Sequence, residues 1–261
     1  MISIVRAVGL CTIQDLGRRG HMHEAVPPGG ALVPQLLVAA NRGARNPDNA
    51  PAIEVLGRLV LRAERSLHVA TDRDGSRILA AGAELEITSE PRRCAYLAVR
   101  GGIEAPVVLG GRGTLLCAKL GAPLRAGDQL AVADEPETPG SIEPFRGDGT
   151  IHVIAGPDLD AFASDALATL EQTAYRIEPT SDRVGTRLAG PALPRSAAYR
   201  ERSAPMVIGA IEVPRDGQPI ILGPEHPTTG GYPVLGVIAS ADLGRFFAIR
   251  IGGSVRFTAA R

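Results

Sequence analysis

The apolar runs of this chain are short, and glycine or proline closes them off: Leu56–Leu61, AYLAVR (95–100), TIHVIAG (150–156), MVIGAIEVP (206–214), PIILG (219–223), VLGVIAS (234–240) and SVRF (254–257). Breaks this frequent disfavour long helices, whereas strands of about five residues fit between them. With 31 glycines and 21 prolines in 261 residues, the pattern predicts a mainly β chain of the barrel or sandwich kind with few short helices. Three segments carry helical signals. PQLLVAANRGA (34–44) opens at Pro34 and has Asn41 and Gly43 as stop signals. PDLDAFASDALATL (157–170) aligns Leu159, Phe162, Ala166, Leu167 and Leu170 on one face, with Asp158 as N-cap. SADLGRFFAI (240–249) offers Ser240 as N-cap and Leu243, Phe246 and Phe247 as a buried face.

The stretch ADEPETPGSIEPFRGDG (133–149) is acidic, rich in proline and glycine, and has little to bury. It predicts a linker over 136–149, between an N-terminal β-rich lobe (1–135) and a C-terminal lobe (150–261). LRAGDQLAV (124–132) and IRIGGSVRF (249–257) close the two lobes in the same style, a basic residue and a glycine turn leading into a strand. The echo is too short to establish a repeat.

Several function classes are excluded early. Basic and acidic residues balance at 28 each, which argues against nucleic-acid or membrane-surface binding by bulk charge. No apolar run approaches the roughly 20 residues of a spanning helix, and MISIVRAVGLCTIQDLG lacks a basic leader, so the chain reads as cytoplasmic. Cys11, Cys94 and Cys117 form no CxxC pair and read as buried free thiols. His21 and His23 form an HxH pair with no third ligand nearby, so no metal is expected. Lys119 is the sole lysine, and CAKLGA is neither a phosphate-binding P-loop nor a biotinyl-lysine turn.

Four polar clusters stand out. In TIQDLGRRGHMHEAVPPGGA (12–31), Gln14, Asp15 and Arg18 alternate with glycines, and Gly29 and Gly30 expose bare backbone. Guanidinium forks and glycine N–H groups suit a small carboxylate or phosphate, and a well-capped turn is the plain alternative. Arg100, Gly101 and Gly102 follow a strand directly and suggest the same chemistry, with Arg112 as a possible second arginine; either is as readily a turn. In PTSDRVGTRLAGP (179–191), Asp182 suits a turn while Arg183 points elsewhere. In GAIEVPRDGQPIILGPEHPTTGGYP (209–233), Glu212, Asp216 and Gln218 precede a buried strand, and the loop Thr228, Thr229, Gly230, Gly231, Tyr232 follows it. Carboxylates there could act as bases or orient a substrate.

Taken in order, TIQDLGRRG, VPPGGA, the Glu54 of AIEVLG, YLAVRGGI, LRAGDQL, SDRVGTRLAGP and EVPRDGQPIILGPEHPTTGGYP resemble the family of 5-oxoprolinase C subunits, also called biotin-dependent carboxyltransferase or allophanate hydrolase subunit 2. The resemblance spans nearly the whole chain. It implies a cyclophilin-like β-barrel at least in the C-terminal half. It implies partners too: a cyclophilin-like B subunit and an A subunit of another fold. The implied reaction is ATP-dependent opening of the 5-oxoproline lactam to glutamate. Biotin enters only if the chain works in a urea carboxylase/allophanate hydrolase system, and a non-catalytic regulator of a protein like the B subunit is a further alternative. On this resemblance Asp182, Arg183 and Glu212 are the expected catalytic groups. Gln14, Asp15, Arg18, Gly29, Gly30, Arg100, Gly101, Gly102, Gln218 and Thr228 to Tyr232 are expected to bind a small carboxylate or amide. The chain departs from the family at Leu32-Val33 (Met-Asp in the family), Glu212 (often Gln), Pro227 (usually Gln) and the shortened TDRDGSRI.

Overall fold

The computed structural model describes residues 1–147, 149–196 and 202–260; residue 148, inside the expected linker, lies outside the described residues, as do 197–201 and 261. The chain divides into two compact units, Met1–Gly20 with Pro28–Phe145, and His21–Pro27 with Arg146–Arg261.

The first unit holds strands β1 (Ile2–Gln14), β2 (Ala52–Ala63), β3 (Leu67–Thr71), β4 (Gly75–Leu79), β5 (Glu84–Thr88), β6 (Ala95–Val99) and β7 (Gln129–Leu130), with helix α1 (Pro34–Gly43). The sheet runs β4-β3-β6-β2-β1-β7, and β5 also pairs with β2. β1 and β2 are long enough to need relief, and Gly9 faces Gly57 across the ladder. A Cβ on Gly57 would lie 2.2 Å from the Val8 carbonyl oxygen, so only glycine allows the strands this close. Inward residues of the sheet, among them Ile2, Ile4, Ile53, Val55, Leu59, Leu97 and Val99, form one apolar core. Each such side chain contributes about 1.5–3 kcal/mol on burial.

Helix α1 starts on Pro34 as its proline predicts, and buries Leu36, Leu37, Ala39 and Ala40 against β6 and β3. Val33 occupies the N-cap without a side-chain cap. The helix start is held instead by buried groups from the sheet. Glu54 accepts the Leu32 N–H at 2.7 Å, Tyr96 accepts the Val33 N–H at 3.0 Å, and the Tyr96 hydroxyl donates to Glu54. Leu32 and Val33 are themselves core residues, so that departure from the family is absorbed by packing. Tyr96→Phe is expected to cost about 1–3 kcal/mol, because it leaves a buried N–H and a buried carboxylate each short of one partner. Urea unfolding checks this, and a loss under about 0.5 kcal/mol would contradict it.

The second unit contains β8 (Ile151–Ala155), β9 (Ala174–Ile177), β10 (Gly185–Ala189), β11 (Ala204–Pro205), β12 (Ala210–Glu212), β13 (Ile220–Leu222), β14 (Thr229–Gly230), β15 (Val234–Ile238) and β16 (Ser254–Ala259), with α2 (Ala166–Gln172) and α3 (Leu243–Ala248). Seven of these strands close a barrel in the order β10-β13-β12-β15-β8-β16-β9, and β11 and β14 form a separate pair. All barrel pairs are antiparallel except β16 with β8. The mainly β architecture with a closed C-terminal barrel is the one predicted.

Two helical expectations need correction. The helix expected over 157–170 breaks into a 3-10 turn at Leu159–Ala161 and then α2. Tertiary pairing overrides the helical stripe: Phe162 bridges Arg195, Ala161 accepts the Ser196 N–H, and Asp158 spends its carboxylate on the Val234 N–H. Leu159 is left exposed. Ser240 opens a 3-10 turn without capping it, and Asp242 stands as N-cap of α3, its carboxylate turned to the His152 N–H and to Arg245. Among the thiols, burial raises Cys94 and lifts Cys11 to about 11, with the nearby Glu54 charge adding to both. Cys117 lies exposed on a short 3-10 turn that buries nothing, contrary to expectation. No described helix is long and apolar enough to cross a membrane.

Candidate functional site

In the first unit, Gln14, Asp15 and Arg18 come together, and they grip one distant loop, residues 108–114. The Gln14 side-chain amide donates to the Thr114 carbonyl at 3.1 Å. Asp15 Oδ2 accepts the Arg112 backbone N–H at 2.6 Å, and Oδ1 accepts that of Gly17 at 2.8 Å. Arg18 donates through Nη2 to the Gly113 carbonyl at 2.6 Å and through Nε to that of Val108 at 3.3 Å. All three side chains are buried. Arg18 Nη1 and Gln14 Oε1 are buried with no hydrogen-bond partner, and among the described residues no carboxylate pairs with Arg18. Gly29 and Gly30 let the 28–31 segment lie on 15–18: the Pro28 carbonyl accepts the Arg18 N–H, and a Cβ on Gly30 would lie 2.6 Å from the Gly17 nitrogen.

The gripped loop walls an open concavity of about 330 Å³. Its polar lining is Asp15, Asn49, Arg112 and Glu135, and Val107 and Gly110 lie among its other walls. Arg112 and Glu135 form an ion pair. Arg100, Gly101 and Gly102 stand behind this wall. Gly101 donates its N–H to Asn46 Oδ1 at 2.9 Å and accepts the Glu135 N–H at 3.0 Å; Gly102 donates to Val99 and accepts from Ala133. Arg100 pairs with Glu137 at 3.2 Å. Their three backbone N–H groups are thus spent on His68, Asn46 and Val99, leaving no N–H cradle for an anion, while Arg100 Nε is buried with no hydrogen-bond partner.

In the second unit, Asp182 Oδ1 accepts the N–H groups of Val184 and Gly185 at 2.8 and 2.9 Å, shaping the turn into β10. Arg183 turns inward, its Nε 2.6 Å from Glu225 Oε1 with both side chains 3 % exposed. His226 is buried beside this pair in sequence. Its Nδ1 lies 2.7 Å from the Pro227 carbonyl, which can only accept, so Nδ1 carries the proton. Nε2 is buried without a partner, and burial lowers the ring's pKa. Gln218 clasps the N–H and carbonyl of Gly190 with its amide, apart from the other predicted residues.

Glu212 lies buried on β12, and burial lifts its pKa from 4.5 to about 6. Among the described residues nothing hydrogen-bonds its carboxyl. Its neighbour is Gly230, where a Cβ would sit 2.6 Å from Oε1. Thr229 and Gly230 form β14 against Ala204 and Pro205, and the Thr228 carbonyl accepts the Met206 N–H. The hydroxyls of Thr228 and Thr229 have no partner among the described residues. Gly231 leads to Tyr232, which is 43 % exposed and lines a second open concavity of about 440 Å³ with Pro214, Arg215 and Asp216.

Because the Glu212 pKa is raised by folding, the folded state holds that proton more tightly. The resulting stabilisation is complete below pH 4.5 and is lost as pH rises through about 6. The shift from 4.5 to about 6 corresponds to about 2 kcal/mol. Glu212→Gln, neutral throughout, is therefore expected to gain up to about 2 kcal/mol on the parent between acidic and neutral pH. Denaturant midpoints for both proteins across that range check this; parallel curves would contradict it.

Sequence reasoning missed Asn49, Glu135, Glu225 and His226 as site groups. Glu225 and His226 stand inside the GPEHPTTGGYP stretch, but nothing local marks a carboxylate whose partner is 42 residues away.

A family model described as carboxyltransferase domain, subdomain A and B, matches residues 24–259. The C subunit of the 5-oxoprolinase of Escherichia coli (strain K12) is 30% identical over 281 aligned residues, covering 98% of this chain and 90% of that protein. The urea amidolyase of Lachancea kluyveri is 29% identical over 94% of this chain but only 16% of its own length. The crystal structure of TTHA0988 superposes with a TM-score of 0.85 at 28% identity, covering 98% of this chain; the chain spans 55% of that one.

Proposed function

The chain belongs to the family of carboxyltransferase domains with subdomains A and B, and on that premise we propose that it is the C subunit of an ATP-dependent 5-oxoprolinase. The observation behind this reading is the near end-to-end match to a 5-oxoprolinase C subunit, 98% of one chain against 90% of the other. In the urea amidolyase the same region is a sixth or less of a longer protein.

A lactam resists hydrolysis because its nitrogen donates into the carbonyl. Phosphorylation of the carbonyl oxygen by ATP would remove that resistance. A first water then adds at the carbon, the ring C–N bond breaks to give an acyl phosphate, and a second water releases phosphate and leaves glutamate. Such steps require positioned donors for developing oxygen charge. Both open concavities of the chain set an arginine beside carboxylates, which suits a small polar substrate. The sequence has no P-loop and no biotinyl-lysine turn, so turnover requires partners, for which we propose proteins like the A and B subunits of a 5-oxoprolinase. Purified together, the three should release ADP and glutamate when given ATP and 5-oxoproline.

The urea amidolyase relative favours carboxyl transfer from a biotinylated carrier as the second reading. It predicts turnover of urea with such a carrier and none of 5-oxoproline, so the same mixture decides between the two.

A further inference from the structure

Resting on the 5-oxoprolinase reading, we propose that the concavity of the first unit seats a small carboxylic acid that also carries an N–H donor, with Arg112 and Glu135 as its binding pair and Arg18 as the positioning residue.

The chemistry of the wall selects this class. Arg112 gives one guanidinium nitrogen to Glu135, and its other side-chain N–H groups have no partner among the described residues. A bare anion would find Arg112 but would also meet the charges of Asp15 and Glu135. A bare cation would meet Arg112. A molecule presenting a carboxylate beside an N–H matches the pair, the carboxylate on Arg112 and the N–H on Glu135. Asn49 spends its carbonyl oxygen on the Leu16 N–H at 2.7 Å, which turns its amide into a further donor. Val107, 61 % exposed, offers apolar surface to ring carbons. An amino-acid lactam has all three features.

The wall is also held in advance. Arg112 is fixed at its backbone by Asp15, and the loop on either side is fixed by Arg18 at Val108 and Gly113 and by Gln14 at Thr114. Glu135 is fixed at its backbone by Gly101. A guanidinium buried without a carboxylate partner is costly unless its geometry is used, and here it pins the two carbonyls that flank Arg112. Arg18 therefore acts through the loop, without touching the ligand.

Titration calorimetry of the full chain with three probes tests this: 5-oxoproline, cyclopentanecarboxylate (no N–H) and 2-pyrrolidinone (no carboxylate). We expect 5-oxoproline to bind at least tenfold more tightly than either half-probe. Arg112→Ala should weaken 5-oxoproline at least tenfold. Arg62→Ala, which removes a surface pair with Glu84, should leave it unchanged. In the assembled enzyme, Arg18→Lys should raise KM for 5-oxoproline while kcat and KM for ATP stay within about twofold, a split that a general loss of folding would not give. Absence of 5-oxoproline binding to the full chain, or equal affinity in Arg112→Ala, overturns the proposal. If the assembled subunits open the lactam while this chain binds no 5-oxoproline, the seat is refuted and the 5-oxoprolinase reading stands. Binding at this seat in an assembly that opens no lactam refutes the reading and keeps the seat.

Discussion

Glu225→Ala is expected to destabilise the second unit by about 3–5 kcal/mol. Glu225 and Arg183 are each 3 % exposed at the side chain, with Nε and Oε1 2.6 Å apart. A charge so enclosed has lost its hydration, and the facing carboxylate is a large part of what offsets that loss. Alanine removes the offset and leaves the desolvated guanidinium in place. The backbone amplifies the effect: the Arg183 carbonyl accepts the Glu225 N–H, and a Cβ on Gly223 would lie 2.3 Å from that carbonyl oxygen, so the two strand ends have little room to relax. Removing both charges together, as in Arg183→Met with Glu225→Leu, should cost less than Glu225→Ala alone, because the desolvated guanidinium goes together with the carboxylate that faces it. Urea unfolding of the single and double variants decides; a single-variant loss below about 1 kcal/mol would mean that the pair holds nothing.

Arg18→Ala is expected to cost about 3 kcal/mol or more and to loosen residues 108–113 before the rest of the first unit. Alanine strands the buried Gly113 carbonyl, takes one of two donors from the half-buried Val108 carbonyl, which keeps the Gly111 N–H, and leaves a void beside Gly29 and Gly111. The stranded buried acceptor costs about 1–3 kcal/mol, and truncating a large buried side chain costs about 2 kcal/mol or more in addition. Limited proteolysis should then cut within 108–113 at protease levels that leave the parent intact. Unchanged unfolding and unchanged cleavage would show that Arg18 is not the strut described.

What the amino-acid order reveals depends on the distance over which each feature is decided. Helix α1 carries its own signals, Pro34 at the start and Gly43 at the end, and it forms where they predict. The 157–170 stripe is as good locally, yet Phe162 pairs with Arg195 instead, and no local pattern announces that competitor. The motif around Gln14, Asp15 and Arg18 is visible as a cluster, and its chemistry is readable as donors and acceptors. What it holds is not, because its partners lie 90 to 100 residues along the chain. Arg100, Gly101 and Gly102 show the same limit: glycine beside arginine at a strand end suits an anion, but their N–H groups are claimed by His68, Asn46 and Val99, and the carbonyls of the two glycines by the 133–135 segment. The Thr228–Tyr232 loop divides between a short strand and an exposed tyrosine, and its threonine hydroxyls have no partner among the described residues.

Whether this chain is a required part of a lactam-opening assembly is decided by the glutamate formed from 5-oxoproline and ATP. The mixture to assay combines this chain with partners like the A and B subunits of a 5-oxoprolinase, and the control omits this chain alone. Glutamate and ADP should appear in step in the full mixture, and neither should appear when this chain is left out. Glutamate formation at the full rate without it would refute that role, as would none with all three present while urea is carboxylated from a biotinylated carrier.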